Sequence, residues 1–126
     1  MLTHNRQHMD TKISIKNFAG GYKSEVTNGR HTLVADEPLD LGGTDVGMSP
    51  VDLVLAGLAE CKVVTTRAKA EKMGLDLGEI RADVSITTGK GEGRSLASKI
   101  SVALTWDNEV SDEDRESILA SAGRCY

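Results

Sequence analysis

The chain has 126 residues, 39% of them hydrophobic and 27% charged, with a net charge of −4 at pH 7. That length supports one hydrophobic core, and the composition is that of a folded globular protein. Net acidity, four aromatic side chains (Phe18, Tyr22, Trp106, Tyr126) and no basic stripe argue against a nucleic-acid partner, and no apolar run reaches the ~20 residues of a membrane crossing.

Residues 1–10, MLTHNRQHMD, are polar without an apolar block and read as a flexible N-terminal extension rather than a secretory signal. A single domain is expected over residues 11–126. Ile13, Ile15 and Phe18 mark a short first strand that ends at Ala19-Gly20-Gly21. Tyr22 to Thr27 reads as a second strand and Arg30 to Ala35 as a third. Asn28-Gly29 between them is the pair that favours a two-residue type I′ hairpin turn, so an antiparallel meander is expected. The connection from Asp36 to Met48 contains Pro38 and three glycines, but neither a Gly-Lys-Ser/Thr nor dinucleotide-type glycine spacing follows.

Ser49 as cap, Pro50 at the first helical position and Asp52 in a Ser-x-x-Asp box open a long helix, with Met48 and Leu53 available as a staple. Arg67, Lys69 and Lys72 suit its C-terminal dipole, and Gly74 closes it. Ile80, Ala82, Val84 and Ile86 alternate with polar residues, as do Ile100, Val102, Leu104 and Trp106. These are two half-buried strands of a hairpin, turning at Gly89 to Gly93. Ser111-Asp112-Glu113-Asp114 caps a second helix that carries Ile118, Leu119 and Ala122 toward Cys125. Strands segregated around a helix give an α+β fold class.

The two cysteines, Cys61 and Cys125, lie 64 residues apart, too few for a disulfide-stapled secreted scaffold, which implies a cytoplasmic address. From Leu53 to Ala59 every residue is apolar or glycine, so the long helix is expected to be wrapped on all sides. Cys61 shares a face with Val54, Gly57, Leu58, Val64, Thr65 and Ala68. It lies eleven residues past Pro50, about 16 Å from the helix start, and so beyond the positive end of the dipole. By position alone Cys61 is a small core residue and Cys125 part of a frayed tail. A disulfide between them is left open by spacing, because it depends on their separation in the fold. His4, His8 and His31 form no metal-ligand signature, and no metal or other cofactor is expected.

The residues that carry most information are Asp36-Glu37-Pro38, Leu41-Gly42-Gly43, Ser49-Pro50-Val51-Asp52-Leu53, Leu58-Ala59-Glu60-Cys61, the helix end from Lys69 to Gly74, and Arg124-Cys125. In this order they resemble the osmotically inducible protein C-like (OsmC) family, which includes the organic hydroperoxide resistance proteins. The resemblance covers nearly everything from Thr11 onward. It implies an intertwined homodimer with two central helices between bent sheets. It also implies thiol chemistry, in which the helix cysteine attacks an organic hydroperoxide, the later cysteine resolves the sulfenic acid to a disulfide, and a dithiol reductant restores the pair. Carried over by position, Cys61 is the peroxidatic candidate and Cys125 the resolving one.

The chain departs from the hydroperoxide-resistance pattern in three places. Val51 stands where that branch has a glutamate, with Asp52 one residue on as the nearest acid. Tyr22 follows Gly20-Gly21 where that branch has an arginine, and the segment from Asp36 to Met48 contains none, which leaves Arg30 as the nearest cation. The family's closing segment beyond the second cysteine is absent from the sequence. The resemblance is therefore closest to a less characterised OsmC-like branch. The leading expectation is a thiol-dependent peroxidase-like protein with Cys61, Cys125, Arg30 and Asp52 at its site. The alternative is a non-peroxidatic OsmC-like protein binding a small hydrophobic ligand or thiol adduct at the dimer interface.

Overall fold

The computed structural model describes residues 10–90 and 96–124. The expected N-terminal extension with His4 and His8, the hairpin tip beyond Lys90, and Cys125 lie outside the described residues, apart from Asp10. Two compact units make up the chain, Met1–Asp52 and Leu53–Tyr126.

In the first unit, β1 (Ser14–Asn17), β2 (Ser24–Thr27) and β3 (Thr32–Ala35) form the expected antiparallel meander. β2 starts two residues later than Tyr22 because Asn17 holds the preceding turn open. Its side-chain amide donates to the Gly21 and Lys23 carbonyls and to Ser24 Oγ at 3.1–3.2 Å. The β2–β3 turn differs from the type I′ expectation. Thr27 pairs with Thr32, which leaves a four-residue connection, and of Asn28 and Gly29 only Gly29 has a positive φ. Asn28 acts through its side chain instead, Oδ1 accepting from the Arg30 and His31 amides at 2.9 and 2.8 Å.

The connection after β3 folds back on itself. The Asp36 amide donates to the Met48 carbonyl at 3.0 Å and Ala35 bridges Met48 in parallel, with a 3₁₀ turn at Leu39–Leu41 inside the loop. Gly43 and Gly47 are required by this path, because a Cβ would run into the Glu37 carbonyl at the first and the Val34 carbonyl at the second.

α1 (Pro50–Lys72) has the punctuation expected of it. The Ser49 amide donates to the Asp52 carboxylate at 3.0 Å and the Asp52 amide to Ser49 Oγ at 3.2 Å, a reciprocal capping box. At the other end the Leu75 amide donates to Ala70 O and the Gly74 amide to Glu71 O, with Gly74 at φ 71°, the Schellman arrangement. Arg67 does not serve the dipole as expected. Its guanidinium donates instead to the Gly78 carbonyl at 2.6 Å, holding the loop that leads into β4.

β4 (Ile80–Lys90) and β5 (Leu96–Trp106) pair antiparallel, with Ile80 opposite Trp106 and Ile86 opposite Ile100. The strands run past the expected turn start, since Gly89 and Lys90 are still paired, with Ala97 and Leu96. At the hairpin's base, Asp107 accepts from the Glu79 amide and from Arg81, both at 2.9 Å. The Glu79 amide first and Arg81 second hold its carboxyl below the usual carboxylate range. α2 (Asp112–Ala122) begins as expected, Ser111 Oγ accepting from the Asp114 amide at 3.1 Å.

The core of this second unit is Ala70, Leu77 and Ile118, with Met73, Leu75, Ile80, Trp106 and Val110 packed around it. The expectation of a long helix wrapped on all sides is not met within one chain. Thr66 and Ala70 are its only buried residues, while Val51, Val54 and Val64 are 52%, 68% and 56% exposed. The apolar face of the hairpin is open too, with Ile100 48% and Val102 40% exposed.

Candidate functional site

Cys61 lies midway along α1, half-buried, and is disulfide-bonded. No described cysteine is free, and Cys125, the only other cysteine in the sequence, lies outside the described residues. At that depth the helix dipole contributes little to a thiolate. The groups around Cys61 on α1 therefore matter more than the helix terminus.

The next residue, Lys62, is half-buried, and its ammonium crosses to α2, donating to the Ala122 carbonyl at 3.1 Å. α2 carries Asp112, Glu113 and Asp114 in its first turn and no basic residue in its last. Lys62 therefore supplies, from another element, the cation that this helix end favours. One turn after Lys62, Thr66 is fully buried and its hydroxyl has no hydrogen-bond partner among the described residues.

The other two sequence candidates belong to the first unit. Arg30 is exposed at the meander turn, its amide held by Asn28. Asp52 is exposed and its carboxylate accepts from the Ser49 amide, so it is part of the helix cap. The described contacts thus bring Asp52 to Ser49, and Lys62 to Ala122.

Among the described residues the most enclosed ionisable group is Asp36, which the sequence offered as part of the family resemblance but not as a site residue. Asp36 is 2% exposed, and its carboxylate accepts from the Glu37 amide at 2.8 Å, the Thr44 hydroxyl at 2.6 Å, and the Thr44 and Val46 amides at 3.1 and 3.3 Å. The Thr44 hydroxyl is the largest of the influences that lower its pKa. The three amides add to the effect, against a burial contribution that raises it. Asp36 lines a hollow of about 250 Å³ with Phe18, Gly20, Gly21, Tyr22, Gly42 and Thr44. With four donors already on it, the carboxylate is a structural anion rather than a base or ligand.

Among the described residues no cluster of His, Cys, Asp or Glu is arranged to hold a metal, and no helix is long and apolar enough to cross a membrane.

Known structures share this architecture. An osmotic stress and detoxification response protein, so named provisionally, from Psychrobacter arcticus 273-4 superposes with a TM-score of 0.77 at 22% identity, covering 97% of this chain and 88% of its own. An organic hydroperoxide resistance protein from Elizabethkingia anophelis gives 0.69 at 18% identity, covering 95% and 86%. An OsmC-like protein from Mycoplasma pneumoniae gives 0.69 at 17% identity, covering 93% and 83%. No curated protein matches the sequence. At these identities the structural likeness establishes the fold, which is α+β and OsmC-like. A family model for OsmC-like proteins also matches residues 42–126, a stretch that includes all of α1 and both cysteines, and the chain belongs to the OsmC-like family.

Proposed function

We propose that the chain is a thiol-dependent, peroxidase-like protein that reduces organic hydroperoxides, with Cys61 as the attacking thiolate and Cys125 as the resolving thiol. The observation that carries this reading is the disulfide at Cys61, in a chain whose only other cysteine is Cys125. Fold relatives from Elizabethkingia anophelis and Legionella pneumophila named as organic hydroperoxide resistance proteins support the substrate class. In the cycle, the Cys61 thiolate breaks the O–O bond and releases an alcohol. The resulting sulfenic acid then condenses with Cys125, releasing water, and a dithiol reductant regenerates both thiols.

The cytoplasm supplies such reductants and is the proposed location. A homodimer is the proposed working form, because the apolar surface left open on α1 and β5 calls for cover. A thiolate beyond the reach of the helix dipole needs a cation, and Arg30 is the proposed one, with Asp52 as the acidic group at the helix start.

The test is hydroperoxide consumption by wild type, Cys61→Ser and Cys125→Ser under a dithiol reductant. Loss of Cys61 is expected to abolish turnover. Loss of Cys125 should allow one oxidation and then over-oxidation to the sulfinic acid. Equal consumption by both variants would overturn the assignment and redirect attention to apolar ligands at the proposed interface.

A further inference from the structure

We infer that Lys62 is a positioning residue for the resolving step, its grip on the Ala122 carbonyl keeping the segment that carries Cys125 within reach of Cys61. This rests on the peroxidatic reading above. The hydrogen bond joins two residues 60 positions apart at 3.1 Å, and it is the described side-chain link from α1 to the end of α2.

The two ends of that link are tied closely to the two sulfurs. Lys62 adjoins Cys61, so their Cα atoms are about 3.8 Å apart. Ala122 is 5% exposed, and three peptide units separate it from Cys125, a span of at most about 11 Å. Past Ala122 the described backbone is still held: the Gly123 amide donates to Leu119 O and the Arg124 amide to Ser121 O. The bond is also charge-assisted, an ammonium on the carbonyl end of a helix that has no basic residue of its own there.

Resolution is a race. The Cys61 sulfenic acid either meets the Cys125 thiol, forming the S–S bond and releasing water, or meets a second hydroperoxide, which oxidises it to the sulfinic acid and leaves as an alcohol. The first path is intramolecular, and its rate scales with the effective concentration of Cys125 at Cys61. Loosening the end of α2 lowers that concentration and leaves the first attack on peroxide alone. This separates a positioning residue from a catalytic one.

The experiment treats fully reduced protein with graded tert-butyl hydroperoxide and measures disulfide and sulfinic acid by intact mass and peptide mapping. Wild type, Lys62→Met and Lys62→Arg are compared, with circular dichroism reporting the fold of each. Lys62→Met is expected to shift the ratio of disulfide to sulfinic acid toward the sulfinic acid by about tenfold, the worth of one charge-assisted hydrogen bond. The rate of the first oxidation should stay at the wild-type value, and Lys62→Arg should restore the ratio. Should Lys62→Met not fold, Lys62→Ala, which also removes the donor and the charge, is read in its place. A folded variant lacking the charge that partitions like wild type overturns the role of Lys62 and leaves the peroxidatic reading intact. Wild type that is oxidised at Cys61 without forming a Cys61–Cys125 disulfide overturns both.

Discussion

The Thr44 hydroxyl donates to the Asp36 carboxylate at 2.6 Å, and the Thr44 amide joins it on the same oxygen at 3.1 Å. Between them they pin the middle of the connection from β3 to α1 to the strand end from which it leaves. Because the folded pKa is depressed, the stabilisation is fully present above the unfolded value near 3.8 and is lost as pH falls through the folded value. Asp36→Asn, which presents a donor where four donors already converge, should lower the melting temperature at pH 7 by several degrees. Thermal melts from pH 7 to pH 2 should show wild type and variant converging at the acid end. A constant gap would mean that Asp36 does not titrate with folding.

Gly43 and Gly47 are fixed by contact, whereas Gly29 is fixed by conformation. At the first two, a Cβ overlaps a backbone carbonyl that cannot step aside, so Gly43→Ala and Gly47→Ala should each cost at least about 1–3 kcal/mol. Gly29 has φ 95° with nothing within 4 Å of a Cβ, so Gly29→Ala should cost only the left-handed penalty of about 1–2 kcal/mol. Gly29→Asn should recover part of it. Urea titration of the four variants checks this ordering.

Thr66 buries a hydroxyl that has no partner among the described residues. Thr66→Val replaces it with a methyl of similar size and should stabilise the protein by about 1 kcal/mol, a few degrees in melting temperature. A loss of stability would show that the hydroxyl is satisfied, with ordered water the first partner to seek.

Val102 lies opposite Val84 on the apolar face of the hairpin and is 40% exposed. If that face is covered by a second copy, Val102→Lys should weaken association by at least about tenfold, with fold retained, as measured by sedimentation equilibrium. Wild type that sediments as a monomer at all concentrations would remove the homodimer from the proposal.

What could be read from the sequence was encoded locally. Ser49 with Asp52, and Ser111 with Asp114, make their bonds across three residues, so the residue types alone announce both helix starts. The alternation from Ile80 to Ile86 and from Ile100 to Trp106 likewise yields a register with apolar residues opposite one another. Asn28-Gly29 announced a turn but not its type, because Asn28 spends its side chain on two later amides rather than its backbone on a positive φ. Asp36 was legible as part of the family resemblance, but its role as a buried anion was not, since its donors Thr44 and Val46 are eight and ten residues on. Lys62 gave none either, because its acceptor is 60 residues away and is a carbonyl, which every residue type possesses. The apolar run of α1 was legible as apolar, but not as the exposed surface that Val51, Val54 and Val64 present, because exposure depends on what the rest of the fold lays over the helix.

The Leu77 carbonyl accepts from both the Asp107 and Asn108 amides, and its side chain is fully buried beside Ala70 and Ile118. Three stretches far apart in sequence are thereby closed at one residue. In native-state hydrogen exchange such a closure separates timescales. The Asp107 and Asn108 amides should exchange only through the largest opening of their unit, hours after the exposed strand β1 has exchanged through local fraying.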